Sequence, residues 1–257
     1  NLTLKMPSIT AAIITLNEER NILRCINSLK NCVDEIIVLD SFSTDRTVEI
    51  CLENNVRVIQ REWLGYSQAK NYLNSQITTE LIFSVDADEA LTEALINEIN
   101  QIRHHGKIAF YSVNRITNYC GKWIRHSGWF PDVKVRLSPR LETIWDGEIV
   151  HEELRIPKDT KIVPLVGLLE HYSYYSHLEH RKKADHYSEL TAKKYVEQGK
   201  TASVLKPYIS GIVRFLKMYV WQKGFLDGKS GWTIAKISAY SNIYKYKEVR
   251  RLSREDK

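Results

Sequence analysis

Cysteine is scarce in this 257-residue sequence and poorly placed for cross-linking. The four present, Cys25, Cys32, Cys51 and Cys120, are widely spaced, with no CxxC pair and no histidine at zinc-ligand spacing. That counts against a disulfide framework or a zinc module and fits reduced thiols in the cytoplasm. Long apolar runs are missing too. No segment approaches the roughly 18 residues that a membrane-spanning helix needs, and no signal peptide precedes the first apolar stretch, so the expectation is a cytoplasmic protein. No repeat, low-complexity tract, helix-turn-helix, zinc finger or single-strand-binding motif is found, and no nucleic-acid partner is expected. Also missing is a glycine-rich basic loop after the first apolar run, where the sequence reads Leu16-Asn17-Glu18-Glu19. A nucleotidyltransferase on an α/β sheet would usually carry such a loop for phosphate.

What is present is an ordinary globular composition, 43% hydrophobic and 26% charged, which favours a packed core over disorder. The net charge of +6 is unevenly spread. From Lys206 onward 12 lysines and arginines face 4 acids, whereas the preceding residues are nearly balanced. Such a tail is drawn to an acidic surface, anionic lipid or nucleic acid.

Short β-rich runs alternate with helical patterns over the first hundred residues. Ile9 to Leu16, Glu35 to Asp40, Asn55 to Gln60 and Leu81 to Val85 read as strands. Between them Asn21 to Leu29, a stretch capped by Ser43 or Thr44, and Tyr66 to Gln76 read as helices. A further helix buries Leu95, Ile96, Ile99 and Ile102. This order predicts an α/β fold with a mostly parallel sheet flanked by helices, with ligands outside the carboxyl ends of its strands. Asn17, Glu18, Asp40, Asp86 and Asp88 all fall at that edge. From 108 to about 169 the helical period gives way to short strands and tryptophans, a mixed extension of the sheet. Helical stretches follow at about 176–198, 207–226 and 232–247, with Asp227-Gly228 as a turn.

Ser84-Val85-Asp86-Ala87-Asp88-Glu89 is the sharpest chemical feature. In an extended segment side chains two apart point the same way, so Asp86 and Asp88 can converge on one hard cation, Mg²⁺ or Mn²⁺, that keeps positions open for phosphate. A solvated loop capping the next helix is the plainer alternative for these acids.

ITAAIITLNEERNI, EIIVLDSFSTDRTVEI, YSQAKNYL, SVDADE, WFPDVKVRLSPR, VHEEL and FLDGKSGW occur in that order. On these pieces the chain resembles the family 2 inverting glycosyltransferases of the Rossmann-like GT-A fold, and within them the lipopolysaccharide core β-1,4-glucosyltransferase branch. The resemblance implies a nucleotide-sugar donor, UDP-glucose first, and a saccharide or lipid-linked acceptor. It implies that Thr15, Asn17 and Glu18 border the nucleotide and that Asp40 binds uracil or ribose. Asp45 and Lys70 would lie nearby, Asp86 near the ribose, and Asp88 would be the firmer metal ligand. Helix capping remains an alternative for Asn17, Glu18 and Asp45.

Inversion needs a base for the acceptor hydroxyl and positive charge for the departing diphosphate. Glu152 is the candidate base and Asp132 its rival, with a surface salt bridge as the alternative for either. Arg136 is a candidate for diphosphate charge and His171 for completing the metal shell. His151, Trp123 and Trp129 are candidates for the acceptor side, with packing as the alternative for each. The expected organisation is a catalytic domain over 1–205, its donor half ending near 105, followed by a basic helical extension over 206–257. There Ile212, Phe215, Leu216, Tyr219 and Val220 alternate with Arg214, Lys217 and Lys223, and Trp221 and Trp232 suit a membrane interface. This is the pattern of an amphipathic segment lying in a headgroup layer, here at the inner membrane.

Overall fold

The computed structural model describes residues 6–147 and 153–255. The chain forms two compact units, one comprising residues 1–115 and 132–171, the other 116–131 and 172–257. This differs from the division expected near 205, because residues 116–131 and 172–205 pack with the C-terminal helices.

The first unit begins as the sequence predicts. β1 (Ile9–Thr15), α1 (Ile22–Leu29), β2 (Glu35–Asp40), α2 (Thr47–Glu53), β3 (Arg57–Gln60), α3 (Tyr66–Ser75) and β4 (Leu81–Asp86) follow in turn. β1 is central among these, parallel to β2 on one side and to β4 on the other, which explains its unbroken apolar run. In α1, Ile22, Cys25, Ile26 and Leu29 are buried at helical spacing. The predicted Ser43 or Thr44 cap of α2 is not made; Arg46 occupies the cap position, and the Ser43 hydroxyl bonds Asp40 instead.

After β4 come β5 (Glu89–Leu91), α4 (Glu93–His105), β6 (Phe110–Tyr119), β7 (Lys122–Ile124) and β8 (Asp132–Pro139). β9 (Ile144–Asp146), β10 (Glu153–Arg155) and β11 (Ile162–Tyr174) complete the strands. Thr92 caps α4, where Leu95, Ile99 and Ile102 are buried and Ile96 is half-buried. The sheet order is β3-β2-β1-β4-β8-β6-β11-β5, with β7 paired to β6. The β3-to-β4 part is parallel. From β4 to β8 the pairing is antiparallel, and so are β8–β6 and β11–β5, which is the mixed extension that the sequence places after the parallel strands.

The link from β4 to β5 dictates a bend. Three residue steps, Asp86 to Glu89, reach about 11 Å at most. In a flat sheet the four intervals from β4 to β5 would cover about 19 Å. The sheet therefore curls, bringing its far edge back to the carboxyl end of β4. Gly167 on β11 permits the packing against α4, since a Cβ there would lie 2.4 Å from the Leu95 backbone.

In the second unit, α5 (His177–Glu197) starts with a capping box formed by Ser176 and Glu179. α6 (Lys206–Leu216) runs into a π-type turn over Lys217–Trp221 and a 3₁₀ turn over Gly224–Asp227, and α7 (Gly228–Glu255) follows. The turn at Asp227-Gly228 falls where the sequence puts it, but α7 starts four residues before 232 and runs on past 247. A Cβ at Gly231 would lie 1.9 Å from the Gly224 carbonyl oxygen, so only glycine allows this entry into α7. No described helix is long and apolar enough to cross a membrane.

Candidate active site

At the carboxyl edge of β1 and β2 two loops are tied to one another. Asn17 adopts φ +56°, a conformation asparagine tolerates better than most residues. Its side-chain oxygen accepts from the Thr44 amide at 2.8 Å, and its own amide donates to the Ser43 hydroxyl at 2.8 Å. The Glu18 amide donates to Thr47 Oγ1 and the Glu19 amide to Asp45. Asp45 also accepts from the Thr47 amide and hydroxyl. Its slight burial would raise its carboxyl, but these hydrogen bonds hold it below the usual range. Asn17 and Asp45 thus shape the loop. Asp40 is fully buried and accepts from the Ser43 amide, the Ser43 hydroxyl and Gln60. Beside it at the end of β1, the buried Thr15 hydroxyl has no hydrogen-bond partner among the described residues, an unmet polar group at the edge where a ligand is expected.

α3 explains the YSQAKNYL segment. Ser67, Asn71 and Asn74 follow one helical face and bond the 143–147 backbone. Ser67 donates to the Asp146 carbonyl at 3.1 Å, and Asn74 to that of Thr143. Asn71 grips Trp145 twice, donating to its carbonyl at 2.7 Å and accepting from its amide at 2.8 Å. This grip sets the indole beneath Lys70, whose Nζ lies 4.3 Å from the ring centroid.

Lys70 Nζ also lies 3.8 Å from Asp86, and here the curled sheet gathers its charges. Arg136 on β8 is almost fully buried. Its Nη2 lies 2.7 Å from Asp86 Oδ2 and 2.5 Å from Glu89 Oε1. Arg115 on β6 reaches Glu89 at 3.2 Å and Asp132 at 2.7 Å, and Lys134 lies 3.3 Å from Asp132. Burial alone would raise the Asp86 carboxyl, but Arg136 and then Lys70 hold it well below the usual carboxylate range. Glu89 is 1% exposed, and its burial, with Asp86 adding repulsion, lifts it above its ordinary value despite Arg136. For Asp132 burial loses to Arg115 and Lys134, and its carboxyl is lowered. Four cations, Lys70, Arg115, Lys134 and Arg136, thus meet Asp86, Glu89 and Asp132, and Glu153 joins them on the cavity wall, a dense and nearly balanced set of charges. Lys70, Asp86, Arg115, Arg136 and Trp145 line a cavity of about 390 Å³. Arg136 Nε and Trp145 Nε1 are buried donors without a partner among the described residues.

Asp86 therefore meets its counter-charge on Arg136 and Lys70. It ends β4, whereas Asp88 sits in the turn before β5 and lies 3.2 Å from His171 Nε2. Among the described residues no three acids, histidines or cysteines converge as a metal cage. Asp88 and His171 do form an oxygen–nitrogen pair. That pair fits a Mg²⁺ or Mn²⁺ ion held by few protein ligands and completed by substrate phosphate and water.

His151 and Glu152 lie outside the described residues. Trp129 packs against Tyr119, Tyr174 and His180, and Trp123 against Tyr172, so the packing reading fits both. The second unit also gives FLDGKSGW a role. Asp227 is 3% exposed and accepts from the Arg125 and His126 amides and from the Ser127 hydroxyl, with His126 Nδ1 at 3.1 Å. Lys122 donates to its carbonyl at 2.6 Å. The sequence reading missed Glu89, Arg115 and Asp227 as partners. For Glu89 the signal was its place directly after the aspartate pair, and for Asp227 its place in FLDGKSGW at the expected turn; Arg115 carried none.

Residues 10–157 match the profile of glycosyl transferase family 2. An uncharacterized glycosyltransferase of Rickettsia typhi is 33% identical over 96% of this chain and 88% of its own length. The lipopolysaccharide core biosynthesis glycosyltransferase LpsC of Rhizobium meliloti is 29% identical over 93% of each chain. Glucosyl-3-phosphoglycerate synthase from Mycobacterium tuberculosis, solved with Mn²⁺, uridine diphosphate and glucosyl-3-phosphoglycerate, aligns over 44% of each chain at 23% identity and a TM-score of 0.35, an overlap too slight to bear on ligands here. The strand-helix series, the charged rim at its carboxyl edge and these matches agree: the chain belongs to glycosyl transferase family 2.

Proposed function

We propose that this glycosyltransferase moves a hexose, glucose from UDP-glucose first, onto a saccharide or lipid-linked acceptor with inversion. Its place would be lipopolysaccharide core or other surface-glycan assembly at the inner face of the membrane. Family membership decides against a nucleotidyltransferase or a non-enzymatic surface binder. The observation that carries the reading is the cluster of Lys70, Arg136 and Arg115 at the Asp86–Glu89 pair on the wall of one cavity, beside the Asp88–His171 pair.

In this reading the nucleotide lies along the edge from Thr15 to Asp40, and its diphosphate enters the cavity that Lys70 and Arg136 line. Arg136 keeps Asp86 ionised and fixed, while Lys70 is held by the Trp145 ring for a phosphate oxygen. Asp88 and His171 would hold Mn²⁺ or Mg²⁺, which would supply Lewis-acid charge to the leaving diphosphate. The acceptor hydroxyl needs a base. Asp132 is weakened for that role by its two cations, which favours Glu152. The exposed apolar face of α6 and its basic surroundings support attachment to anionic lipid.

The test is UDP release from UDP-glucose with Mn²⁺. Asp88→Ala should reduce the metal-dependent rate at least about a hundredfold while leaving the thermal midpoint nearly unchanged. Undiminished release would overturn the assignment.

A further inference from the structure

α6 and α7 pack so closely that a Cβ at Gly211 would lie 2.5 Å from the Ile243 side chain. That contact leaves the opposite side of α6 uncovered. Leu205, Ile209, Ile212 and Leu216 follow one another at helical spacing, each more than half exposed, and form a continuous apolar stripe in contact with water. At the N-terminal end of this stripe a groove of about 480 Å³ opens between α6 and the last turns of α7, within the size range of small-ligand sites. Tyr208 and Pro207 form its α6 wall; Lys247, Arg250, Arg251 and Arg254 form the other.

The charge of that wall is largely unanswered. Arg251 pairs with Glu248 at 2.7 Å. Lys247, Arg250 and Arg254 have no carboxylate partner among the described residues. Elsewhere on α7 burial, and after it the nearby Arg214 and Lys206, hold Lys245 below the usual lysine range.

Guanidinium groups in such an array match the oxygens of a phosphate, which two or three of them can grasp together. A soluble phosphate would gain nothing from the apolar stripe beside it. A phospholipid uses both, its headgroup phosphate in the groove and its acyl region against the stripe. We infer that the groove between Tyr208 and Arg250/Arg254 is a binding site for the phosphate of an anionic lipid headgroup, anchoring α6 in the surface of the bilayer. The inference deepens the membrane-facing part of the function proposed above and rests on it.

The test is co-sedimentation of the full chain with phosphatidylcholine vesicles, with and without phosphatidylglycerol. Arg250→Gln with Arg254→Gln should weaken attachment to the anionic vesicles about thirtyfold, at about 1 kcal/mol for each cation removed. Arg254→Gln alone should act in the same direction. Lys107→Gln with Lys158→Gln, an equal charge change in the other unit, should shift it less than about twofold. Ile209→Ser with Ile212→Ser should weaken attachment to both kinds of vesicle. Release of UDP from UDP-glucose should stay at the wild-type rate throughout. Equal losses in the groove pair and the control pair would reduce the site to diffuse attraction and overturn the inference. So would glycerol phosphate binding in the groove while the arginine variants still hold vesicles normally. A wild-type chain that ignores every vesicle would sink the membrane reading together with the groove, and would leave the transferase reading standing on UDP release.

Discussion

Glu89 and Asp227 are both buried acids, one in each unit, and they are answered in opposite ways. Glu89 faces two guanidinium groups, Arg115 and Arg136, which also hold Asp132 and Asp86. Asp227 faces two backbone amides, a hydroxyl and the ring of His126, with no guanidinium group against it. The first arrangement is a network of side-chain ions in which an incoming phosphate can exchange with a carboxylate. The second is a clasp that holds the 125–127 turn in shape, built mostly from main-chain donors that cannot exchange partners. Buried charge alone thus does not mark a reacting site; the character of its partners does.

The comparison can be broken at four points. The largest effect is expected at the base, where Glu152→Gln should lower sugar transfer about a thousandfold and leave donor binding intact by calorimetry. If Asp132→Asn shows that loss instead, the base belongs to the Arg115 network. Arg136→Ala should destabilise the first unit by about 3–5 kcal/mol in urea, since it leaves Asp86 and Glu89 facing each other in a low-dielectric site. A near-neutral result would mean the network is wetter than its burial implies. Asp227→Ala should cost about 3 kcal/mol by orphaning several buried donors, with the UDP-release rate little changed; a selective loss of activity would give the clasp a catalytic role.

The smallest effect is set by pH. Burial, with His177 and Lys183 adding repulsion, lowers the pKa of His180 to about 4, where it meets the Tyr119 hydroxyl at 3.0 Å. The unfolded chain takes up a proton near pH 6.5 and the folded chain does not. Stability should therefore fall as pH drops from about 6.5 toward 4, by about 2–3 kcal/mol in all. His180→Gln should flatten that part of the thermal-midpoint profile; an unaltered slope would assign the acid sensitivity elsewhere.

Local signals carried the sequence reading a long way. Apolar runs marked β1, β2 and β4 because each is buried among neighbours, and the carboxyl-edge rule drew attention to Asp40, Asp86 and Asp88. Two-residue spacing treats the two aspartates as one extended segment, whereas the strand ends at Asp86 and Asp88 belongs to the turn after it. Arg115 and Arg136 reach Glu89 only through the curl of the sheet, and Asp227 finds its partners about a hundred residues away. Neither arrangement leaves a periodic trace. The capping expected at Ser43 failed for a related reason: its hydroxyl had a stronger partner in Asp40. Residues 143–147 lie in the stretch that reads only as short strands and tryptophans, since what fixes their place is a face of α3.

The two-residue link between Asp86 and Glu89 has a mechanical consequence. It is a short tether holding the far margin of the sheet against its middle, and its length matters more than either side chain. One residue inserted beside Ala87 would slacken the tether and turn Glu89 away from both arginines. An alanine insertion there should therefore harm the enzyme more than replacing Asp86 or Asp88 alone, because it loosens the curvature on which every charge in the cavity depends.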